Sequence, residues 1–223
     1  MNKRITVIAG HYGSGKTNVA VNYALKIRES HQRVSIADLD IVNPYFRSKD
    51  SEKVLHEKDI RLISSVYANS NVDTPALPAD AYSITADKDC RAVVDVGGDD
   101  RGALALGRFV PQILEENDYE MLFVVNKYRP LTPDADSAIE VMREIEFACG
   151  MRFTGIINNS NIGEATTAED VISSFAYAEE ISEKTGIPVV STTVDKRIYP
   201  QIKDIQKNVM PLTLYVRQSW QRG

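Results

Sequence analysis

The sequence is poor in the residues by which many protein classes declare themselves. Its 223 residues include only two cysteines, Cys90 and Cys149, far apart and without a CxxC pair. That excludes a disulfide framework, gives no iron–sulfur or zinc signature, and fits reduced thiols in a cytoplasm. No apolar run approaches the roughly 20 residues of a membrane span, and the first, Ile5-Thr6-Val7-Ile8-Ala9, is too short for a signal peptide. Basic excess is also missing: 26 Lys+Arg face 31 Asp+Glu for a net charge of −5, so no global field draws the chain onto nucleic acid or anionic lipid. Repeats, low-complexity tracts and Ser/Gly linkers are absent, and 43% hydrophobic with 26% charged residues argues against a disordered or collagen-like chain. The expectation is one cytoplasmic domain over 1–223, with no nucleic-acid and no membrane partner.

What the sequence does contain is alternation. A buried strand at Ile5 to Ala9 leads through a Gly-rich turn into a helix over 16–30, with Val19, Ala20, Tyr23, Ala24 and Ile27 on one stripe. A second strand over 33–38 ends in Asp38, with Asp40 just beyond. Between 41 and 89 the pattern blurs: Asn43-Pro44 breaks the chain, 60–64 reads as a strand, and 73–80 as a turn-rich, mobile loop. A strand over 91–96 runs into Gly97-Gly98-Asp99-Asp100, and a helix follows to 116, bent or restarted by Pro111. Then come a strand over 121–125, a helix over 133–148 with Thr132 as N-cap, a strand over 153–157 ending in Asn158-Asn159-Ser160-Asn161, a helix over 167–184 stopped by Gly186, and a strand over 189–193. Such alternation predicts an α/β fold, a mostly parallel sheet of about seven or eight strands with helices on both faces.

One motif carries chemistry. Gly10-His11-Tyr12-Gly13-Ser14-Gly15-Lys16-Thr17 matches GxxxxGK[ST], after a strand and at the mouth of a helix. A polyphosphate is a dense anion, and glycines let backbone N–H groups approach its oxygens. The amides from Gly13 to Thr17, with the positive end of the helix dipole, are suited to cradle the α and β phosphates. Gly10 to Thr17, with Asn18 following, form the candidate nucleotide-binding loop. Lys16 reaches the β/γ oxygens, and Thr17 offers a hydroxyl to Mg²⁺. Asp95, ending its strand, is the second acidic anchor of the metal. Gly97 and Gly98 can bring a backbone N–H to the γ-phosphate and act as a switch.

The order of these motifs, Gly10 to Thr17, then Ile36-Ala37-Asp38-Leu39-Asp40, then Val93-Val94-Asp95-Val96-Gly97-Gly98, resembles the MinD/ParA branch of P-loop ATPases. The group includes the nitrogenase iron protein, cobyrinic acid synthase and dethiobiotin synthetase. The resemblance implies the P-loop NTPase fold, an eight-stranded sheet, ATP and Mg²⁺ as ligands, and an ATP-sandwich homodimer. It places Asp38 at the metal and makes Asp40 the residue that positions the attacking water, a catalytic role shared with Lys16. Phosphoryl transfer asks mainly for positioning and charge neutralisation, which two carboxylates beside a metal provide. One residue departs from the pattern: the family has a lysine after the first glycine that touches the partner's phosphates, and here stands His11, shorter and mostly uncharged at pH 7.

For the base, Asn126-Lys127 superficially resembles the guanine motif NKxD, but position 129 is Arg, which has no acceptor for the guanine donors. Asn158-Asn159-Ser160 ends a strand where the nitrogenase iron protein and its relatives have an adenine-reading asparagine, with Asn159 the better candidate and Asn158 the fallback. Asp195 follows the last strand, where relatives contact base or ribose. These features predict a slow nucleotide-switch ATPase acting on an unidentified client protein. Two other functions stay open: an ATP-dependent ligase or phosphotransferase, with Arg47, Lys49, Arg101, Arg129 or Arg197 as substrate-holding cations, and a regulator with negligible turnover. The metal-carrying cysteine pair of metallocentre-insertion relatives is missing. The tail through Trp220, interrupted by Pro211, does not read as a membrane-binding helix.

Overall fold

The structure is a computed structural model that describes residues 3–39, 49–64, 79–98 and 100–215. Asp40, the Asn43-Pro44 break, most of the turn-rich loop, Asp99 and the tail at Trp220 lie outside the described residues. Eight strands form one sheet in the order β3-β2-β4-β1-β5-β6-β7-β8. They are β1 (Ile5–Ala9), β2 (Val34–Asp38), β3 (Ile60–Ile63), β4 (Arg91–Asp95), β5 (Tyr119–Val125), β6 (Gly155–Asn158), β7 (Val189–Asp195) and β8 (Val209–Leu212). Every neighbouring pair is parallel. Parallel pairing requires crossovers, supplied by α1 (Lys16–Arg28), α2 (Lys49–Glu57), α3 (Ser83–Ala86), α4 (Asp100–Gly107), α5 (Val110–Glu116), α6 (Ala135–Cys149), α7 (Ala168–Ser173), α8 (Phe175–Thr185) and α9 (Tyr199–Ile202).

The period-2 alternation of each strand divides the core into two layers. Ile5, Val7 and Ala9 of β1 pack with Phe123, Val125, Leu106, Phe109, Met142 and Ile181 on one face. Ile8 of the same strand packs with Val124, Val19, Ala24, Ile27 and Leu55 on the other. The strands are therefore nearly continuous apolar runs, as a sheet covered on both faces demands.

Three boundaries differ from the sequence expectation for local reasons. Pro111 does not bend a long helix: it sits in the first turn of α5, where its missing N–H costs nothing, and α4 ends before it. The cap of α6 is Asp134, whose side chain accepts from the Ser137 N–H, while Thr132 is buried and donates to the Asn126 carbonyl. The single helix expected over 167–184 is two, α7 and α8, broken at buried Ser174, whose hydroxyl turns back to the Val171 carbonyl at 2.6 Å and also receives the Asn158 amide. Thr167 does start α7, in a reciprocal capping box with Asp170. The helix α2 and the edge strand β8 add to what periodicity indicated, and Pro211 is tolerated in β8 because an edge strand pairs on one side only.

Candidate functional site

The site lies at the C-terminal ends of the central strands, where the order reverses between β4-β1 and β1-β5. The loop from Gly10 to Thr17 leaves β1 there and enters α1. Its glycines are dictated by space and by backbone angle. A Cβ on Gly10 would stand 2.4 Å from the Val124 carbonyl oxygen, and Gly13 and Gly15 have φ of +78° and +85°, the left-handed region. The loop closes on itself through the Ser14 N–H to the His11 carbonyl at 3.1 Å. Gly15 caps α1 without any side-chain hydrogen bond, so the first turn's amides face the loop's interior with the positive end of the helix dipole behind them. Lys16 is buried at the start of that helix.

Beneath the loop, oxygens converge. The Thr17 hydroxyl donates to Asp95 Oδ2 at 2.7 Å. Asp38 and Asp95 end adjacent strands and are paired in register. Both carboxylates are buried, Asp38 at 7% exposure and Asp95 at 1%. One hydroxyl and two carboxylates are hard donors of the kind Mg²⁺ takes while keeping most of its waters, so the residues fit that ion. No group of three or more His, Cys, Asp or Glu with metal-binding arrangement occurs among the described residues.

The Gly97-Gly98 segment is stacked directly on the phosphate loop. A Cβ on Gly98 would meet the Tyr12 backbone nitrogen at 2.6 Å, and one on Gly102 in α4 would meet the Gly97 nitrogen at 2.5 Å. A ligand-driven shift of either segment must therefore be felt by the other. His11 folds back on its own loop, its ring Nδ1–H donating to the Tyr12 carbonyl at 2.7 Å.

On the other side of the loop a cavity of about 430 Å³, within the usual range for small-molecule sites, is lined by Gly13, Gly15, Asn18, Arg129, Asn159 and Asp195 among others. The two asparagines expected near the base part company here. Asn158 is fully buried, with its amide on the Ser174 hydroxyl at 2.9 Å and its oxygen accepting from the Ser160 N–H, so the fallback base reader is a structural residue. Asn159 lines the cavity and also braces the phosphate loop: its Nδ2 donates to the Ser14 carbonyl at 2.7 Å and its Oδ1 accepts from Thr193 at 2.6 Å. A carboxamide has two N–H groups and two lone pairs, which leaves one of each. Asp195 lines the cavity with Arg197 bound to it through both backbone N–H and guanidinium, at 2.8 and 2.9 Å. Burial pushes the Asp195 carboxyl up, but the Arg197 contacts and Lys196 outweigh it and hold the group below its ordinary value.

The turn after β5 is organised by contacts that hydrophobic periodicity does not mark. Asn126, 1% exposed, is its keystone: Oδ1 accepts from the N–H groups of Tyr128 and Asn161, and Nδ2 donates to the Asn161 carbonyl. Lys127 N–H is fixed by Ser160, and the Tyr128 hydroxyl by the Asp170 carbonyl. This scaffold sets Arg129 against Gly13, with Cδ and Nε each 3.8 Å from where a Cβ of Gly13 would be. An asparagine closing a strand ahead of a turn was the only available signal, since the bonds reach 35 residues along the chain.

Fold and loop together are those of the α/β P-loop NTPase-like architecture. No family model matches the chain. Among curated proteins it is 23% identical over 226 residues to the cytosolic Fe-S cluster assembly factor NUBP2 of Gallus gallus, covering 90% of this chain and 82% of that one. Among solved structures it resembles chloroplast FtsY from Physcomitrella patens, with TM-score 0.55, 19% identity, and coverage of 86% of this chain and 58% of that one. FtsY from Thermotoga maritima gives TM-score 0.54 and 20% identity over 86% of this chain and 61% of that one. The 54 kDa signal recognition particle protein from Aeropyrum pernix K1, solved with GDP, gives 0.54 and 12% over 86% of this chain and 41% of that one. The chain thus spans three fifths or less of the length of most of these solved chains, and at such identities the likeness establishes the fold.

Proposed function

We propose that the protein binds Mg-ATP and works as a slow nucleotide-switch ATPase of the MinD/ParA kind, acting as a homodimer on a partner protein. The observation that supports this most is the Thr17–Asp95 contact, with Asp38 in register beside it, under a phosphate loop on which Gly97-Gly98 is stacked. Lys16 and the amides from Gly13 to Thr17 hold the phosphates, and Thr17, Asp38 and Asp95 hold the ion, which supplies charge neutralisation at the β/γ oxygens. Asp40 orients the attacking water. Loss of the γ-phosphate releases Gly97 and Gly98, and the partner reads that change. Asn159 contacts the base with its remaining amide hydrogen and lone pair, and Asp195 the base or ribose. Arg129 in place of an acidic residue disfavours guanine, so adenine is the assigned base.

NUBP2 is named as an iron–sulfur cluster assembly factor, but cluster carriage does not transfer to this chain. Cys90 stands at the N-terminal end of β4, away from the phosphate loop, and Cys149 is buried at the end of α6, where burial pushes its thiol pKa up. The ligase reading also loses a candidate, because Arg197 is ion-paired with Asp195. Titration of the purified protein with Mg-ATP and Mg-GTP, followed by phosphate release, tests the proposal. Tight ATP binding, slow turnover without a metabolite and faster turnover with a partner fraction are expected. Equal affinity for GTP overturns the base assignment, and turnover only with a small carboxylic substrate overturns the switch.

A further inference from the structure

The turn after β5 carries a charge that the architecture of the protein alone does not explain. Arg129 is half-buried, and its Nε is shut off from water with no hydrogen-bond partner among the described residues. Among the described residues no carboxylate lies within ion-pair distance of its guanidinium, whereas Arg4, Arg143, Arg152 and Arg197 each have one. Burial accordingly draws its pKa below the ordinary arginine value. Desolvating a cation without a counter-ion is costly. Yet the residue is held there by a closed network: the Arg129 N–H donates to the Asn126 carbonyl, the Thr132 N–H to the Arg129 carbonyl, and Asn126 and Tyr128 are pinned on either side. The side chain lies along Gly13, and it lines the cavity beside Gly15 and Asn18. Within the loop itself Lys16 is the only fixed positive side chain, and His11 is turned onto the Tyr12 carbonyl.

Resting on the reading of this site as a nucleotide site, we propose that Arg129 is a phosphate-contacting arginine acting within its own chain, closing over the nucleotide held by the loop it leans on. Its missing counter-ion is the polyphosphate. A planar guanidinium suits this task because it can present two parallel N–H donors to phosphate oxygens, which an ammonium cannot. An arginine supplied in this way stabilises charge that develops on the transferring phosphoryl group as well as charge already present in the ground state.

The test uses the full chain with Arg129→Ala and Arg129→Lys. Neither is expected to lower the melting temperature of the nucleotide-free protein, while the stabilisation conferred by saturating Mg-ADP falls. ADP affinity should drop roughly 10-fold or more, and ATP turnover by roughly 10²- to 10³-fold, with Lys recovering only part of each. If wild-type protein binds Mg-ADP and both variants match it in affinity and turnover, Arg129 has no phosphate role and the proposal falls, while the nucleotide site stands. If wild type fails to bind any nucleotide, the site reading itself falls. If Arg129→Ala does not fold, Arg129→Gln, which keeps length and one donor, carries the same measurement. Mixing Arg129→Ala with Lys16→Ala chains separates cis from trans: no recovery of turnover is expected, and recovery toward a quarter of wild type would place the arginine in the partner's site.

Discussion

The two ends of the sheet treat arginine in opposite ways. At the N-terminal end of the strands, Arg4 is 5% exposed and fully engaged: it pairs with Glu116 and donates to the carbonyls of Ile84, Asp87 and Cys90 at 3.0 to 3.1 Å. Lys88 adds a second cation to Glu116 at 2.6 Å. At the C-terminal end Arg129 is held as firmly by its backbone, but its Nε–H donates to no partner among the described residues. The difference separates two uses of one residue type. A cation whose donors are all satisfied by protein joins loops from different elements, and one left unsatisfied beside an anion-binding loop is complete only with a ligand.

That contrast can be broken at several points. Arg4→Ala leaves part-buried Glu116 with one cation fewer and three carbonyls without this donor, and should cost about 3 kcal/mol in urea unfolding. At the opposite end Lys16→Ala should leave stability intact and weaken ATP by roughly 10²-fold or more in calorimetric titration. If it instead unfolds the protein, the division between the two ends is wrong. Gly10→Ala forces a Cβ to within 2.4 Å of the Val124 carbonyl oxygen and should cost about 1–3 kcal/mol, because backbone cannot yield as a side chain can.

Acid sharpens the comparison further. The Arg4 hydrogen bond, against the opposing effect of burial and with help from Lys88, holds the Glu116 carboxyl down from an ordinary 4.5 to about 2. A depressed folded-state value means stability that is present above the unfolded pKa and lost as pH falls. The loss from Glu116 should run between about 4.5 and 2 in urea midpoints, and Glu116→Gln should flatten that limb. The smallest effect is the most discriminating: Arg129→Met in the nucleotide-free protein should hold stability or raise it by up to about 1 kcal/mol, since a desolvated cation is removed and no protein partner among the described residues is lost. A loss of several kcal/mol would make Arg129 a second Arg4.

Much of the fold was legible because its signals are local. Ile5 to Ala9, Arg91 to Asp95 and Met121 to Val125 are apolar, β-branched runs that only a doubly covered strand accommodates, and the stripe Val19, Ala20, Ala24 and Ile27 gave α1 its buried face. The phosphate loop was legible for the same reason, since glycine at φ +78° and +85° leaves little alternative. Ser174 was not. Its hydroxyl breaks a helix that periodicity alone would continue, because Asn158 from a distant strand needs it. Thr132 is a similar case, drawn to Asn126 while Asp134 caps the helix.

The site shows the same division. That Thr17, Asp38 and Asp95 come together could be anticipated from motif order, since each ends or follows a strand that the motif itself positions. The tasks of Asn158, Asn159 and Arg129 could not. Adjacent strand residues point to opposite sides, so one asparagine of an identical pair enters the core and the other reaches the phosphate loop. The amino-acid sequence by itself determined a parallel α/β chain with a phosphate-binding loop, because alternation and glycine geometry act over a few residues. The tertiary structure alone decided that Asn159 braces Ser14, that Gly98 lies on Tyr12, and that Arg129 faces Gly13 without a counter-ion. Those pairings join residues far apart in the chain, and only the packing of the eight-stranded sheet brings them into contact with one another.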